Sequence, residues 1–171
     1  VISGYLISNI IISELNEGTF SFKTFYLRRI RRILPALFSA LLLTIPFAYF
    51  FLTPKAMEEY IDSLIASVLF YANYHFMNLD FYVAESTELM PLLHTWSLAI
   101  EEQYYLLFPV VAYFLFKNFK NHFFLIISTL TFVSLFSNSL TQDFSKFYQL
   151  QFRVWELLLG VVLMIINSKY T

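Results

Sequence analysis

Long apolar stretches alternate with short polar ones along this chain. A bilayer core of about 30 Å requires roughly 20 mostly apolar residues in a helix. Five stretches reach or approach that length, at residues 1–13, 34–52, 96–116, 123–140 and 154–167. Because a helix satisfies its own backbone hydrogen bonds in lipid, the pattern predicts an all-α fold, a polytopic membrane helix bundle.

The composition supports a membrane protein. Of the 171 residues, 58% are hydrophobic and only 13% are charged, against about 25% charged residues in a typical soluble domain. The chain has no cysteine, which excludes disulfides and thiolate catalysis. Its three histidines are too scattered to predict a metal site.

The positions of the charges predict the orientation of the spans, because cytoplasmic loops are enriched in Lys and Arg. Five basic residues lie between positions 14 and 33, the sequence KNFKNH holds two lysines, and another lysine follows the last span. These segments are predicted to be cytoplasmic. The acidic segments 53–62 and 80–93 are predicted to lie outside.

Residues 63–79 form a weaker apolar stretch, interrupted by Asn73 and His75. A full crossing there would place one acidic segment in the cytoplasm and KNFKNH outside, against the charge pattern. A segment that enters the membrane and returns to the same side removes this conflict, but its irregular backbone requires surrounding protein or a water-filled cavity. The sequence therefore predicts a re-entrant or interfacial segment with a cavity near residues 63–95. His75 and His122 are expected to be interfacial or loop residues.

The sequence LLHTWSLAIEEQYYLLFP places a histidine and two glutamates beside an apolar run. On a helix that begins near Thr95, the residues His94, Ser97 and Glu101 share one face. Ionisable groups at membrane depth are costly and are therefore candidates for function. His94 is a candidate general base or proton shuttle, oriented by Glu101. Glu102 points about a quarter-turn away and is the weaker candidate.

The sequence FYLRRIRRILPAL carries four arginines in five residues. Two pairs have the i, i+3 spacing of neighbours on a helix: Arg28 with Arg31, and Arg29 with Arg32. In one interpretation they only anchor the chain to anionic lipid. Because guanidinium groups bind phosphate oxygens through two parallel hydrogen bonds, the cluster also predicts a phosphate-rich cytosolic ligand. Pro35 is expected in the first turn of the following helix.

The sequence FRVWELLLG places Arg153 and Glu156 one helical turn apart. A local ion pair is the simplest interpretation and contributes a few tenths of a kcal/mol when exposed, whereas a buried pair would help to form a polar cavity. In a purely structural interpretation of the central motif, His94 caps its helix and the glutamates pair with Arg153 or with backbone donors.

Small residues interrupt the first and last apolar stretches, at Ser3, Gly4 and Gly160. Small residues allow close approach of neighbouring helices in membranes. These positions are predicted to be helix-packing notches.

Four segments occur in the order found in the membrane-bound acyltransferase 3 family: VISGYLIS, FYLRRIRRILPAL, PLLHTWSLAIEEQYYLLFP and FRVWELLLG. By these motifs the chain resembles that family, the bacterial O-acetylases of peptidoglycan, lipopolysaccharide and other surface glycans. The resemblance implies transfer of an acetyl group from cytosolic acetyl-CoA, or of another acyl group from its acyl-CoA, to a hydroxyl of an envelope glycan or lipid-linked sugar. It implies a multi-pass protein of the bacterial inner (cytoplasmic) membrane, without a tightly bound cofactor and without a nucleic-acid partner.

The resemblance also implies roles for residues. The Arg-x-x-Arg motif of the family, in the loop that handles acetyl-CoA, maps onto Arg28–Arg31 or Arg29–Arg32. The HxWSLxxEEQ motif maps onto His94, Trp96, Ser97, Leu98, Glu101, Glu102 and Gln103. By this resemblance, His94 or Glu101 helps to arrange acyl passage or deprotonates the sugar hydroxyl.

Family members carry an earlier helix with an arginine or lysine followed by a histidine that is central to catalysis. Residues 1–171 start downstream of such a motif and are expected to form a partial acyltransferase 3 membrane domain, a fragment of a larger domain of about ten helices. Because the first helix and the C-terminal helices are expected to be missing, the fragment alone is expected to be inactive.

Two other classes of protein stay open. A transporter or flippase would use His94, Glu101, Arg153 and Glu156 to line a polar path. A structural or sensory membrane protein would use the same charges only as anchors. Protection of the arginine segment by acetyl-CoA would favour the enzyme, whereas dependence on an ion or substrate gradient without an acylated product would favour transport.

Overall fold

The computed structural model describes residues 1–79 and 90–170, and most of these residues are helical. In these ranges seven α-helices follow one another: α1 Ile2–Asn16, α2 Phe22–Phe51, α3 Pro54–Val68, α4 Ala72–Met77, α5 Thr95–Phe119, α6 Phe123–Leu140 and α7 Leu150–Tyr170. Short 3₁₀ helices at Lys120–His122 and Phe144–Tyr148 precede α6 and α7. No strand occurs in the described ranges. The predicted all-α fold is confirmed.

Three stretches of the described chain are long and apolar enough to cross a membrane: Phe22–Phe51, Thr95–Leu140 and Leu150–Ser168. The second has 46 residues and contains both α5 and α6. Large apolar side chains remain on the surface of these helices; Phe50 of α2, for example, is 77% exposed. Such a surface is stable against lipid rather than water. The protein is therefore a membrane protein built from apolar helices.

Helix α2 begins at Phe22 and includes the arginine segment, which was expected to precede the helix. The prediction that Pro35 lies in a first helical turn is wrong, because Pro35 lies inside α2. Proline has no N–H to donate to the carbonyl four residues earlier, which is that of Arg31. Arg31 is exposed near the predicted membrane boundary, where water can bond this carbonyl instead.

Residues 63–79 do not form one continuous helix. Helix α3 ends at Val68, and α4 begins at Ala72 after a turn in which Phe70 has a φ of 56°. This left-handed conformation is rare for an aromatic residue. The break agrees with a segment that does not cross the membrane. Residues 80–89 of the predicted re-entrant region lie outside the described residues, and the re-entrant path stays a prediction.

The chain divides into two compact units, Val1–Phe22 with Tyr104–Thr171, and Lys23–Gln103. In the first unit, α7 packs against both α1 and α6. Lys120 Nζ donates a hydrogen bond of 3.2 Å to Asn16 Oδ1. This bond joins two segments that the charge pattern places on the same, cytoplasmic side.

Helices α1 and α7 meet at two glycines. A Cβ atom on Gly4 would overlap the backbone of Leu157, and one on Gly160 would overlap the backbone of Val1 and Tyr5. The backbones can approach this closely only because glycine has no side chain. The prediction of packing notches at Gly4 and Gly160 is confirmed.

The second unit has a core in which side chains of α2, α3 and the turn before α5 meet. Its buried members are Leu37, Leu41, Ala48, Tyr60 and Leu92. The hydroxyls of Thr44 and Tyr60 lie 2.9 Å apart and connect α2 to α3. Because α3 begins three residues after α2 ends, it returns alongside the C-terminal half of α2.

We expect Gly4→Ala, and separately Gly160→Ala, to lower the free energy of unfolding by about 1–3 kcal/mol, because the added methyl group has no space between the two backbones. The measurement is thermal unfolding of the purified protein in detergent. Ser3→Ala, a half-buried position beside Gly4 in α1, is the matched control and should change the melting temperature little. Equal melting temperatures in all three variants would show that the α1–α7 contact is not tight.

Candidate functional site

Helix α5 carries the HTWSLAIEEQ motif and begins at Thr95, as the sequence predicts. The hydroxyl of Thr95 donates a 2.7 Å hydrogen bond to the carbonyl of Leu92 and lies 2.7 Å from the hydroxyl of Ser67. Ser67 belongs to the last turn of α3. The start of the motif helix is therefore fixed to the end of α3.

His94 lies in the turn before α5, and Ser97 lies in the first turn of the helix. Both side chains are exposed. The Ser97 hydroxyl donates a 3.0 Å hydrogen bond to the backbone carbonyl of His94, and Glu101 follows one turn later on the same face. The three predicted residues thus lie at the start of one helix face, although the bond between the first two involves the backbone of His94 rather than its imidazole.

Gln103, the last residue of the motif, connects α5 to the turn between α3 and α4. Its side-chain amide donates hydrogen bonds of 3.0 Å to the carbonyl of Phe70 and 2.9 Å to Asn73 Oδ1. Asn73 is fully buried. The resemblance placed Gln103 in the motif without a role. Polar residues in apolar segments commonly form hydrogen bonds to neighbouring helices. This tendency predicts that Gln103 has a partner but does not identify it.

The structure separates the four arginines by their exposure. Arg28, Arg31 and Arg32 are exposed on α2, whereas Arg29 is half-buried, with its guanidinium carbon 5.5 Å from the centre of the Phe25 ring. The three exposed guanidinium groups can reach a ligand in solution.

The positive charge of Arg29 acts on the carboxyl group of Glu102. Oε1 of Glu102 is buried and, among the described residues, has no hydrogen-bond partner. One residue of the arginine motif and one of the glutamate motif therefore lie within the range of an electrostatic interaction. Glu102, the weaker candidate in the sequence, thus interacts electrostatically with the arginine segment.

Arg153 and Glu156 form a two-pronged ion pair at the start of α7. Arg153 Nη2 lies 2.9 Å from Oε1 and 3.0 Å from Oε2 of Glu156. The two side chains are 26% and 37% exposed, and the guanidinium carbon of Arg153 lies 5.0 Å from the centre of the Phe147 ring. The local ion pair expected from the sequence is present; its contribution to a polar cavity stays a prediction.

A cavity of about 410 Å³ lies in the first unit between α5, α6 and α7. Tyr104, Phe108, Leu130, Ser134 and Leu158 contribute to its walls. The walls are almost entirely apolar, and none of the described residues that line them is charged. Such a cavity suits a hydrocarbon group.

We expect Gln103→Glu to lower the free energy of unfolding by about 1–3 kcal/mol, because an ionised carboxylate donates no hydrogen bond and would face two acceptors. The measurement is again thermal unfolding in detergent. Gln151→Glu is the matched control, because the Gln151 side chain is exposed and bonds only to Gln149 among the described contacts. An equal effect of both changes would contradict a special role for Gln103.

Comparison with known proteins agrees with the motifs. A family model described as "Acyltransferase domain" matches residues 1–168. A Haemophilus influenzae protein named "Uncharacterized protein" is 34% identical over 178 aligned residues, which cover 98% of this chain and 73% of that protein. The O-acetyltransferase OatA of Staphylococcus aureus is 37% identical over 174 residues, which cover 95% of this chain but only 28% of OatA. No solved structure matches the chain. With almost its whole length matched by one family model, the chain belongs to the membrane acyltransferase family that its four motifs resemble.

Proposed function

We propose that the full-length protein is an O-acetyltransferase of the bacterial inner membrane that moves an acetyl group from cytosolic acetyl-CoA to a hydroxyl of a cell-envelope carbohydrate. The family match and the similarity to an O-acetyltransferase support acyl transfer. The observation that carries the proposal is the electrostatic interaction between Arg29 and Glu102, because it relates the predicted donor-binding motif to the predicted acid–base motif.

The exposed arginines suit the donor. Acetyl-CoA carries several phosphate groups, and arginine binds phosphate oxygens through paired hydrogen bonds. Arg28 and Arg31 are neighbours one turn apart on α2, and Arg32 is also exposed. We assign these three to the phosphates of the acyl-CoA and Arg29 to the connection with Glu102. Acyl-CoA acts as a co-substrate in this proposal and not as a bound cofactor.

The face that begins at His94 suits the transfer step. In that step the sugar oxygen bonds to the acetyl carbonyl carbon as the carbon–sulfur bond of the thioester breaks. The hydroxyl proton passes to a base, and the departing thiolate takes up a proton. A neutral imidazole is a suitable base near pH 7. We assign this role to His94 and the stabilisation of the resulting imidazolium to Glu101.

The test of the function is the O-acetyl content of envelope polysaccharides, measured by mass spectrometry in cells with and without the full-length protein. We expect the mass increment of one acetyl group per modified sugar to disappear when the protein is absent. An unchanged polysaccharide profile, together with gradient-dependent movement of a substrate, would instead support the transport alternative.

Replacement of both Arg28 and Arg31 by alanine is expected to reduce acetylation by about 10²-fold or more, because each lost charge-assisted hydrogen bond weakens donor binding. Membrane insertion should be unchanged, since Lys23, Arg29 and Arg32 remain as positive charges. The measurements are glycan acetylation and the amount of protein in the membrane, and Lys23→Ala on the same helix is the control. Wild-type acetylation in the double variant would show that these arginines only determine the orientation of the helix in the membrane.

His94→Ala and Glu101→Gln are each expected to give folded protein with acetylation reduced about 10²-fold or more, the usual effect of losing a general base or its partner. Acetylation per molecule of membrane protein is the measurement. His122→Ala, which changes an exposed histidine outside the motif, is the control. If only the amount of protein falls while activity per molecule is kept, the structural interpretation of the motif is correct.

A further inference from the structure

Two hydroxyl groups connect α3 to the turn that carries His94. Ser67 lies in the last turn of α3, and its Oγ is 2.7 Å from Oγ1 of Thr95, the first residue of α5. Ser67 is buried and Thr95 is half-buried. Ser67 belongs to none of the four motif segments, and Thr95 occupies the position that the HxWSLxxEEQ motif leaves open. Neither residue has a role in the proposed function.

Hydrogen bonds fix the backbone on both sides of His94. Before it, the carbonyl of Leu92 accepts bonds from the backbone N–H of Thr95, at 2.9 Å, and from the Thr95 hydroxyl, at 2.7 Å. After it, the carbonyl of His94 itself accepts a bond of 3.0 Å from the hydroxyl of Ser97. Leu92 is 4% exposed and belongs to the core in which α2 and α3 meet. The backbone of His94 is therefore held in place, whereas its side chain is exposed.

A count of the hydroxyl protons shows which bonds depend on Ser67. Its Oγ also lies 2.7 Å from the carbonyl of Ser63, so the two hydroxyls make three contacts with only two protons. At 2.7 Å the oxygens of Ser67 and Thr95 need a proton between them. Either hydroxyl can supply it, and the other then bonds to its own carbonyl. Removal of the Ser67 hydroxyl would leave Thr95 bonded to Leu92 and break only the connection between the two helices.

We propose that Ser67 is a positioning residue for acyl transfer, which holds the backbone of His94, through Thr95, where the imidazole can reach the acceptor hydroxyl. This inference rests on the proposed function, in which His94 is the general base. A base must lie within hydrogen-bond distance of the proton that it removes, and a misplacement of about 1 Å can lower the rate about 10²-fold. In this role Ser67 acts through His94 and does not touch the donor or the acceptor.

A hydrogen bond suits this role better than an apolar contact. Apolar contacts are non-directional, whereas a hydrogen bond sets the distance between its two atoms and weakens steeply as it bends. A second attachment of α5 is Gln103, which bonds to the turn between α3 and α4. Thr95 and Gln103 lie about 12 Å apart along the axis of α5, at 1.5 Å per residue. Two attachments at this separation fix the direction of the motif helix as well as its start.

The experiment measures acetyl transfer by membranes that contain the full-length protein, from acetyl-CoA to oligosaccharides released from the envelope of the same cells. In Ser67→Ala we expect kcat per molecule of membrane protein to fall about tenfold or more, because the base is held less well in the reactive geometry. The KM for acetyl-CoA should stay unchanged. Ser63→Ala is the matched control and should keep the wild-type kcat. Ser63 is also buried in α3, but its hydroxyl bonds only to the carbonyl of Tyr60 among the described contacts.

Thr95 provides a second pair of variants. Valine has nearly the shape of threonine but no hydroxyl, whereas serine keeps the hydroxyl. Thr95→Val should therefore lower kcat about tenfold or more, and Thr95→Ser should keep a kcat close to that of the wild type. If Ser67→Ala does not accumulate in the membrane, this comparison carries the test. Equal rates in Thr95→Val and Thr95→Ser would contradict the proposed connection.

The His94→Ala variant provides a background that separates positioning from stability. If Ser67 acts through His94, the addition of Ser67→Ala should not lower the remaining rate further, because the residue that it positions is already absent. A general loss of structure would lower the rate by the same factor in both backgrounds.

Each outcome decides a different question. An absence of acetyl transfer by the wild-type protein would overturn the proposed function, and a normal rate in His94→Ala would overturn the assignment of the base. With both of these intact, a wild-type kcat in Ser67→Ala would overturn the positioning role. An equal fall in Ser63→Ala, or an equal further loss in the His94→Ala background, would also overturn it and assign Ser67 to the stability of the fold.

Discussion

The side-chain amide of Gln103 connects three elements of the second compact unit. One of its hydrogen bonds reaches the carbonyl of Phe70, in the left-handed turn that ends α3, and the other reaches the buried Asn73 of α4. Only an amide offers two N–H donors without a charge that would be costly to bury. The turn stores backbone strain, and these two bonds help to hold it. One residue of α5 therefore helps to fix the positions of both α3 and α4.

The apolar pattern predicted helices at all five apolar stretches but not their full lengths. The first stretch forms α1, whose 15 residues are not among the three stretches long enough to cross a membrane. The pattern placed the start of α5 at Thr95 and the α1–α7 contact at Gly4 and Gly160, because both depend on local sequence. It missed the first part of α2. Apolar length measures only the part of a helix that lies in lipid, whereas arginine and leucine are good helix formers on either side of that boundary. The helix therefore continues through the arginine segment, and Pro35 is internal.

In the candidate site, too, the sequence predicted the features that depend on neighbouring residues and missed those that depend on distant ones. Helical spacing treats the pairs Arg28–Arg31 and Arg29–Arg32 alike. The structure distinguishes them because Arg29 is half-buried and interacts electrostatically with Glu102, a residue more than 70 positions away, and the periodicity of one sequence contains no such information. His75 was expected to be an interfacial or loop residue, and the structure places it in the short helix α4. Spacing finds residues that share a face, and tertiary structure decides what that face contacts.

Helix α2 places the proposed groups of the second unit in order. Arg29, which interacts electrostatically with Glu102, lies toward its N-terminal end. Thr44, whose hydroxyl lies 2.9 Å from that of Tyr60, lies about 20 Å farther along the axis at 1.5 Å per residue. Between these levels, Ser67 at the far end of α3 meets Thr95, and Thr95 follows His94 directly.

A donor bound at the exposed arginines would thus be separated from the level of Thr44 and Tyr60 by much of the thickness of a bilayer core. One molecule of acetyl-CoA held by its phosphates at one end does not bring its acetyl group to the other unless that group extends into the protein. The face that begins at His94 lies between the two. A base at His94 would therefore act partway along this path, where an acetyl group that extends into the protein and an acceptor hydroxyl can meet.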